Sequence, residues 1–252
     1  MASALEVKNV SKLFGSLRAV DDVSFGVEDE SLTILIGPNG SGKTTLINMI
    51  SGFYKPDAGH VIYNGKDITG MKPHNVYKRG LARTFQIPSL FWKLTVLENV
   101  MTAKRDNPGE GFLKAPFRST WKGAEELTAE EAFRVLEAVG LSKIWDQLAI
   151  SLSGGQMKLL EIGRVLMSGA KTILMDEPIS GVNPTLAHDI FSRLLTIRHD
   201  YGITFLIVEH RLDIALGYVD EAVAMAYGKI VTMGKPDAVM ADPRVIEAYL
   251  GG

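Results

Sequence analysis

The chain has 252 residues, 46% hydrophobic and 22% charged, a length and balance that suit one large soluble domain with a well-buried core. Its formal net charge of −2 provides no basic excess, so no nucleic-acid partner is expected. Cysteine is absent, which excludes disulfides and thiolate metal sites and fits a reducing cytoplasm.

The opening MASALEVKNVSK lacks the basic-then-apolar pattern of a secretory signal. Leu5 and Val7 alternate with Glu6 and Lys8, and Val23, Phe25 and Val27 repeat that period of two, so the first part reads as β-rich. The apolar run Leu32–Ile36 enters Gly37, and a helical stretch from Lys43 to Ser51 follows, closed by Gly52. Val61 to Tyr63 precede Asn64-Gly65, the strongest short hairpin signal. These features predict a strand–loop–helix core unit beside a small antiparallel sheet.

Residues 104–122, rich in Gly, Pro and charge with scattered aromatics, read as an insertion loop. Thr128 and Glu131 then have the spacing of a capping box, followed by an apolar stripe of Ala132, Phe133, Leu136 and Val139 that Gly140 ends. From Ala170 the strand Thr172–Met175, a helix near Thr185–Asp200 and the strand Thr204–Val208 alternate, which predicts an α/β fold with a helix-covered parallel sheet. Ala222 to Met233, interrupted at Tyr227-Gly228-Lys229, reads as a terminal hairpin. The strongest apolar runs are far shorter than the ~20 residues that span a bilayer. The chain is therefore expected to be soluble by itself, with any membrane role exercised through a partner.

Three motifs carry chemistry. Gly37, Pro38, Asn39, Gly40, Ser41, Gly42, Lys43 and Thr44 match G-x-x-x-x-G-K-S/T in full, between a predicted strand and a predicted helix. Its glycines let backbone N–H groups turn towards phosphate oxygens, and the helix adds its positive end. Lys43 is placed for the β- and γ-phosphates and the Thr44 hydroxyl for Mg2+, with Thr45 completing the loop. Thr172 to Glu177 form an apolar strand tipped by two carboxylates: Asp176 to hold Mg2+, usually through water, and Glu177 to orient or deprotonate an attacking water. Alone this could be an acidic surface turn; the phosphate loop upstream favours the catalytic reading. Leu152, Ser153, Gly154, Gly155 and Gln156 then form a second glycine-rich helix start, with Ser153 as cap and Met157, Leu160, Val165 and Leu166 as the apolar side of the helix.

The pentapeptide LSGGQ, in its place between the phosphate loop and the carboxylate strand, resembles the signature of the ABC ATPases, and the resemblance extends over essentially all 252 residues. It implies one ABC ATP-binding domain over residues 1–252, with a phosphate-loop (RecA-like), mostly parallel sheet core, a small antiparallel β subdomain and a helical subdomain. That helical part, including the insertion, is expected at approximately residues 88–165 and carries the signature. Residue by residue, Phe14 resembles the aromatic that stacks on adenine, Gln86 in RTFQ the glutamine that contacts Mg2+ and water, and His210 the switch histidine at the γ-phosphate. Ser180-Gly-Val-Asn183-Pro184 occupies the place of the loop that couples the two sites of a dimer; many relatives have Asp there, so Asn183 implies a weaker or different polar link. His60, His74, His188 and His199 match nothing and are read as surface.

The implied assembly is two such chains, or this one and a paralogue, closed around two ATP molecules with Mg2+. Each ATP lies between Gly37–Thr45 of one chain and Ser153–Gln156 of the other. Integral membrane permease subunits, a solute-binding protein and a peripheral place on the cytoplasmic face of the membrane complete the expectation. Gly52-Phe-Tyr-Lys-Pro, Gly80-Leu-Ala-Arg-Thr-Phe-Gln86, the insertion with Phe112-Leu-Lys-Ala-Pro-Phe-Arg118 and the ending Val245-Ile-Glu-Ala-Tyr-Leu-Gly251 resemble the LivG-type ATPases of branched-chain amino acid importers. Many members of that branch have Tyr where this chain has Gly154. A urea or amide importer and a lipopolysaccharide-export ATPase therefore stay open. A non-transport role in DNA repair, translation or cluster assembly, the remaining alternative, is disfavoured by the lack of a long coiled coil, a cysteine zinc site and a second ATPase unit. A phosphate-loop kinase or GTPase would leave LSGGQ, Gln86 and His210 without purpose.

Overall fold

The structure is a computed structural model that describes residues 3–85, 89–105 and 122–250. Gln86, most of the insertion with its Phe112–Arg118 peptide, and Gly251 lie outside the described residues.

The alternating N-terminal pattern forms a hairpin of β1 (Ser3–Phe14) and β2 (Leu17–Glu28). Leu5, Val7, Val23, Phe25 and Val27 turn inward, as the pleat requires, and a break in register between Val7 and Val10, with Asn9 at φ 50°, brings Val10 inward as well. β4 (Ala58–Tyr63) pairs with the other edge of β1 and turns back into β5 (Lys66–Asp67), giving an antiparallel sheet ordered β2-β1-β4-β5. The turn between β4 and β5 has Asn64 at φ 48° and Gly65 at φ 72°, the pair of positive angles that a two-residue I′ hairpin demands.

The second sheet contains β3 (Leu32–Ile36), β6 (Leu81–Arg83), β7 (Thr172–Asp176), β8 (Thr204–Val208), β9 (Glu221–Ala226) and β10 (Lys229–Gly234), in the order β10-β9-β3-β8-β7-β6. Only β10 runs antiparallel to its neighbour. Every residue of β3 and β8 is buried, which explains why these strands read as continuous apolar runs without alternation. Their register decides where chemistry can occur: Asp176 pairs with Val208, Val208 with Leu35, and Leu35 with Val223. The loops that leave β7, β8 and β3 therefore emerge side by side at the carboxyl ends of the strands, the edge where open α/β sheets bind ligands.

The helices are α1 (Lys43–Ile50), α2 (Pro73–Lys78), α3 (Val96–Met101), α4 (Lys122–Ala138), α5 (Gly154–Met167), α6 (Pro184–Tyr201), α7 (Leu212–Ala215), α8 (Pro236–Met240) and α9 (Pro243–Leu250). On α6, Ala187, Ile190, Phe191, Leu194 and Ile197 recur at three- and four-residue spacing and are all buried. α8 and α9 follow the terminal hairpin and were not expected from the sequence. The chain divides into two compact units, one of Met1–Gln86, Lys171–Ser180 and Ala187–Gly252 and one of Ile87–Ala170 and Gly181–Leu186. The first holds both sheets. In the second, α3, α4 and α5 pack on one another, and Val96, Val100, Val135, Leu136 and Leu160 on these helices are buried. Among the described residues no helix is long and apolar enough to cross a membrane.

One local expectation is overturned. Thr128 does not start a helix: α4 is already running at Lys122, and the Thr128 hydroxyl donates back to the Ala124 carbonyl at 2.7 Å. The stretch Lys122–Leu127 is rich in good helix formers and adds a Lys122–Glu126 pair at 3.6 Å, so the helix extends upstream of the apparent cap. Capping boxes are instead present at Thr95–Glu98 on α3 and at Ser153–Gln156 on α5; the first went unread in the sequence.

Candidate functional site

The phosphate loop follows from how closely its backbone is packed. Gly37 has φ 148° and Gly42 φ 104°, and a Cβ would lie 2.1 Å from the Met225 carbonyl oxygen at the first and 2.4 Å from that of Ala19 at the second. β9 and β2 thus hold the loop from two sides, in a conformation only glycine tolerates. Gly42 caps α1 without a side-chain bond, so the first N–H groups of α1 are left for an anion. The Lys43 ammonium lies across the loop, donating to the Gly37 and Pro38 carbonyls at 2.7 and 2.9 Å and to Ser41 Oγ at 3.3 Å. Burial pushes its pKa down, against the pull of the Glu177 and Asp176 carboxylates.

The loop forms one wall of a cleft of about 610 Å³ that brings together Phe14, Lys43, Thr44, Glu177, His210 and Tyr227. Asn39, Gly40, Ser41, Gly42 and Thr45 line it as well, while Gly37 and Pro38 contribute the carbonyls that hold Lys43. Phe14 is 43% exposed, which leaves ring surface free for a ligand. It is braced from behind: Tyr54 meets it edge-on at 5.5 Å, and Lys12 Nζ lies 5.7 Å from the ring centre. Lys12 is itself fixed by Asp57 and the Lys55 carbonyl, both at 2.9 Å.

At the tip of β7, Glu177 has φ 51°, a strained angle for a side chain of this size, and its N–H donates to the Val208 carbonyl at 2.9 Å. This turn aims Glu177 Oε1 at His210 Nε2, 3.3 Å away. Asp176 lies beneath, paired with Arg83 of β6 at 2.9 Å. Gln86 is outside the described residues, so its expected contact has no structural counterpart here.

In the helical unit, Ser153 and Gln156 form a reciprocal cap at the start of α5: Gln156 N–H donates to Ser153 Oγ at 3.4 Å, and Ser153 N–H to Gln156 Oε1 at 2.8 Å. The two signature glycines differ. A Cβ on Gly155 would meet Leu186 Cδ2 at 2.0 Å, whereas one on Gly154 meets nothing within 4 Å. The chain's own packing therefore leaves room for a side chain at position 154.

Residues 20–180 match the ABC transporter family, and residues 229–252 match a segment described as branched-chain amino acid ATP-binding cassette transporter. The chain belongs to the ABC transporter family. It is 48% identical over 250 residues, 98% of this chain and 95% of the relative, to a probable branched-chain amino acid transport ATP-binding protein LivG of Archaeoglobus fulgidus. A protein of the same description from Methanocaldococcus jannaschii is 49% identical over 251 residues, covering 98% and 97% of the two chains. A crystal structure described as the ADP conformation of an ATP-binding cassette of an ABC transporter superposes with TM-score 0.86 at 47% identity, covering 100% of both chains. The chain is thus a nucleotide-binding ABC ATPase with the expected α/β fold.

Two residues that hold the surroundings of this cleft in place escaped the sequence reading. Arg83 was read only as part of the RTFQ stretch around Gln86; its signal was an arginine within a strand otherwise made of Leu81 and Ala82. Its guanidinium reaches Asp176, Asn48 Oδ1 at 2.5 Å and Ser51 Oγ at 3.3 Å, and its centre lies 5.6 and 5.3 Å from the Phe53 and Phe85 rings. Glu209 is buried; one carboxylate oxygen accepts from Ile179 N–H at 2.9 Å and the other from His210 and Arg211 N–H at 2.8 and 3.2 Å. It fastens the segment after Glu177 to the segment that carries His210.

Asn183 takes a definite role in the ABC chain: its Oδ1 accepts from Leu186 N–H at 3.0 Å, capping α6 behind Pro184. Asn183→Ala is expected to lower unfolding stability by about 1 kcal/mol, and Asn183→Asp to leave it within about 0.5 kcal/mol, since both Asn and Asp cap well. Equilibrium urea unfolding of the three proteins checks this; equal losses in both variants would remove the capping role.

Proposed function

We propose that this chain hydrolyses ATP to power a branched-chain amino acid importer. The observation that carries this reading is near-half identity, over almost the whole length of both chains, to transport ATP-binding proteins described for that cargo, joined by the match of residues 229–252. The working unit is the single ATP-binding domain of residues 1–252, with approximately 88–165 as the helical part. Two copies, or this chain and a paralogue, close around two ATP molecules, each between Gly37–Thr45 of one chain and Ser153–Gln156 of the other. Permease subunits, a solute-binding protein on the far side and a peripheral position on the inner membrane face belong to the same reading.

The residues fit a nucleoside triphosphate with Mg2+. Uncapped N–H groups of α1 and the buried Lys43 ammonium meet the phosphate charge, and Phe14 offers its braced ring to adenine. Thr44, Asp176 and Gln86 would hold Mg2+, which when bound neutralises charge on the phosphates. Glu177, turned by its positive φ towards His210, orients a water and accepts its proton, while His210 faces the γ-phosphate end of the cleft. Phosphoryl transfer to water needs chiefly positioning and charge stabilisation, which these groups supply together with the second chain's signature.

The test is co-purification with the membrane subunits, followed by ATP-dependent uptake of labelled leucine into proteoliposomes holding the assembled complex. Uptake that stops without ATP supports the proposal. Failure to carry leucine, isoleucine and valine would overturn the cargo and leave the ATPase activity in place.

A further inference from the structure

The hairpin between β9 and β10 turns through two residues, Tyr227 at φ 50° and Gly228 at φ 79°, with Ala226 and Lys229 paired across it. This is the same turn as Asn64-Gly65, at φ 48° and 72°, elsewhere in the chain. There the first position holds Asn, the residue that tolerates a left-handed conformation best after glycine. Here it holds tyrosine, whose Cβ makes that conformation costly. Burial does not compensate, because Tyr227 is 78% exposed.

The turn is firmly placed. Gly228 N–H donates to the Ser41 carbonyl of the phosphate loop at 3.0 Å, and the Gly228 carbonyl accepts from Asp21 N–H of β2 at 2.8 Å. Stitched between these two walls, the tip brings Tyr227 to the lining of the nucleotide cleft, together with Phe14, Leu17 and Arg18. Lys43 and the start of α1 mark the phosphate part of that cleft. An aromatic residue kept at an unfavourable angle, exposed and lining the same cleft as Phe14, has a base as its natural partner.

We propose that Tyr227 is a purine-contacting residue, a second aromatic face for the base of the bound nucleotide beside Phe14. The proposal rests on the cleft being the nucleotide site and adds a residue that none of the ABC motifs includes. Every base offers a π-face, so the contact strengthens purine binding without reading the base's hydrogen-bonding edge.

Tyr227→Asn separates the turn from the ligand, because asparagine suits the backbone and lacks the ring. Its urea midpoint is expected to rise while its ATP dissociation constant, measured by calorimetry on the full chain, increases about three- to tenfold. Inorganic tripolyphosphate, which has no base, is expected to bind wild type and variant alike. Tyr227→Phe keeps the ring and is expected to recover most of the lost ATP affinity. Unchanged ATP affinity in Tyr227→Asn would overturn the proposal. So would an equal loss for tripolyphosphate, which would mean that the turn acts through the phosphate loop. If the wild type bound tripolyphosphate and ATP equally weakly, the cleft assignment itself would fail, a result distinct from either.

Discussion

Glu177→Gln is expected to lower ATP turnover by about 10²- to 10⁴-fold while nucleotide binding persists. Glutamine has the shape of glutamate, so the strained turn, held by the Glu177 N–H bond to the Val208 carbonyl, should survive. The side-chain carbonyl can still approach His210 Nε2, now 3.3 Å from the carboxylate. What disappears is the negative charge and the proton-accepting oxygen, the two properties a water-activating group needs. Loss of the charge also relieves the nucleotide phosphates of a like-charged neighbour across the cleft, which favours ATP retention. In the variant, ATP is therefore expected to bind at least as tightly and to accumulate a nucleotide-bound dimer. Phosphate release gives the rate, calorimetry the binding, and light scattering with and without ATP the association. Turnover within twofold of wild type would remove Glu177 from the chemistry.

What could be read from the sequence was what lies close together along the chain. The phosphate loop is contiguous, and its strand and helix flanks gave the α/β core because β3 and β8 are continuous apolar runs. Phe14 and His210 came from resemblance and Glu177 from the carboxylate pair at a strand tip, and all three line one cleft. The partners of Arg83 and Glu209 were invisible for a physical reason. Their roles depend on which strands and loops become neighbours: Arg83 meets a carboxylate 93 residues away because β6 lies beside β7, and Glu209 meets an N–H 30 residues away. Thr128 failed in the opposite direction, since a correct local capping pattern sits inside a helix that upstream residues had already begun. Tyr227 was seen only as a break in a hairpin; its orientation depends on the Ser41 and Asp21 backbone bonds, which no local pattern announces.

Arg83→Met is expected to destabilise the protein by about 3 kcal/mol, the low end for stripping one partner from a buried ion pair. The pair is largely rather than fully buried, with side-chain exposures of 8% for Arg83 and 15% for Asp176, which is why the low end applies. Methionine replaces the arginine stem against Phe53 and Phe85, so packing is largely retained and the loss reports on charge. Asp176 would keep its charge with its ionic partner gone, and Asn48 and Ser51 would each lose a guanidinium donor. Adding Asp176→Asn to Arg83→Met removes the stranded charge and is expected to restore about 1–2 kcal/mol, a coupling that independent sites would not show. Arg83→Lys keeps the charge but not the planar fork that spans Asp176 and Asn48 together, so it should fall between wild type and Arg83→Met. Because Asp176 is proposed to hold Mg2+, loss of its orienting partner should also raise the Mg2+ concentration needed for half-maximal ATP hydrolysis. Urea unfolding of the four proteins measures the first effect and a Mg2+ titration of activity the second. An Arg83→Met midpoint equal to wild type would show that Asp176 is held by something other than this arginine.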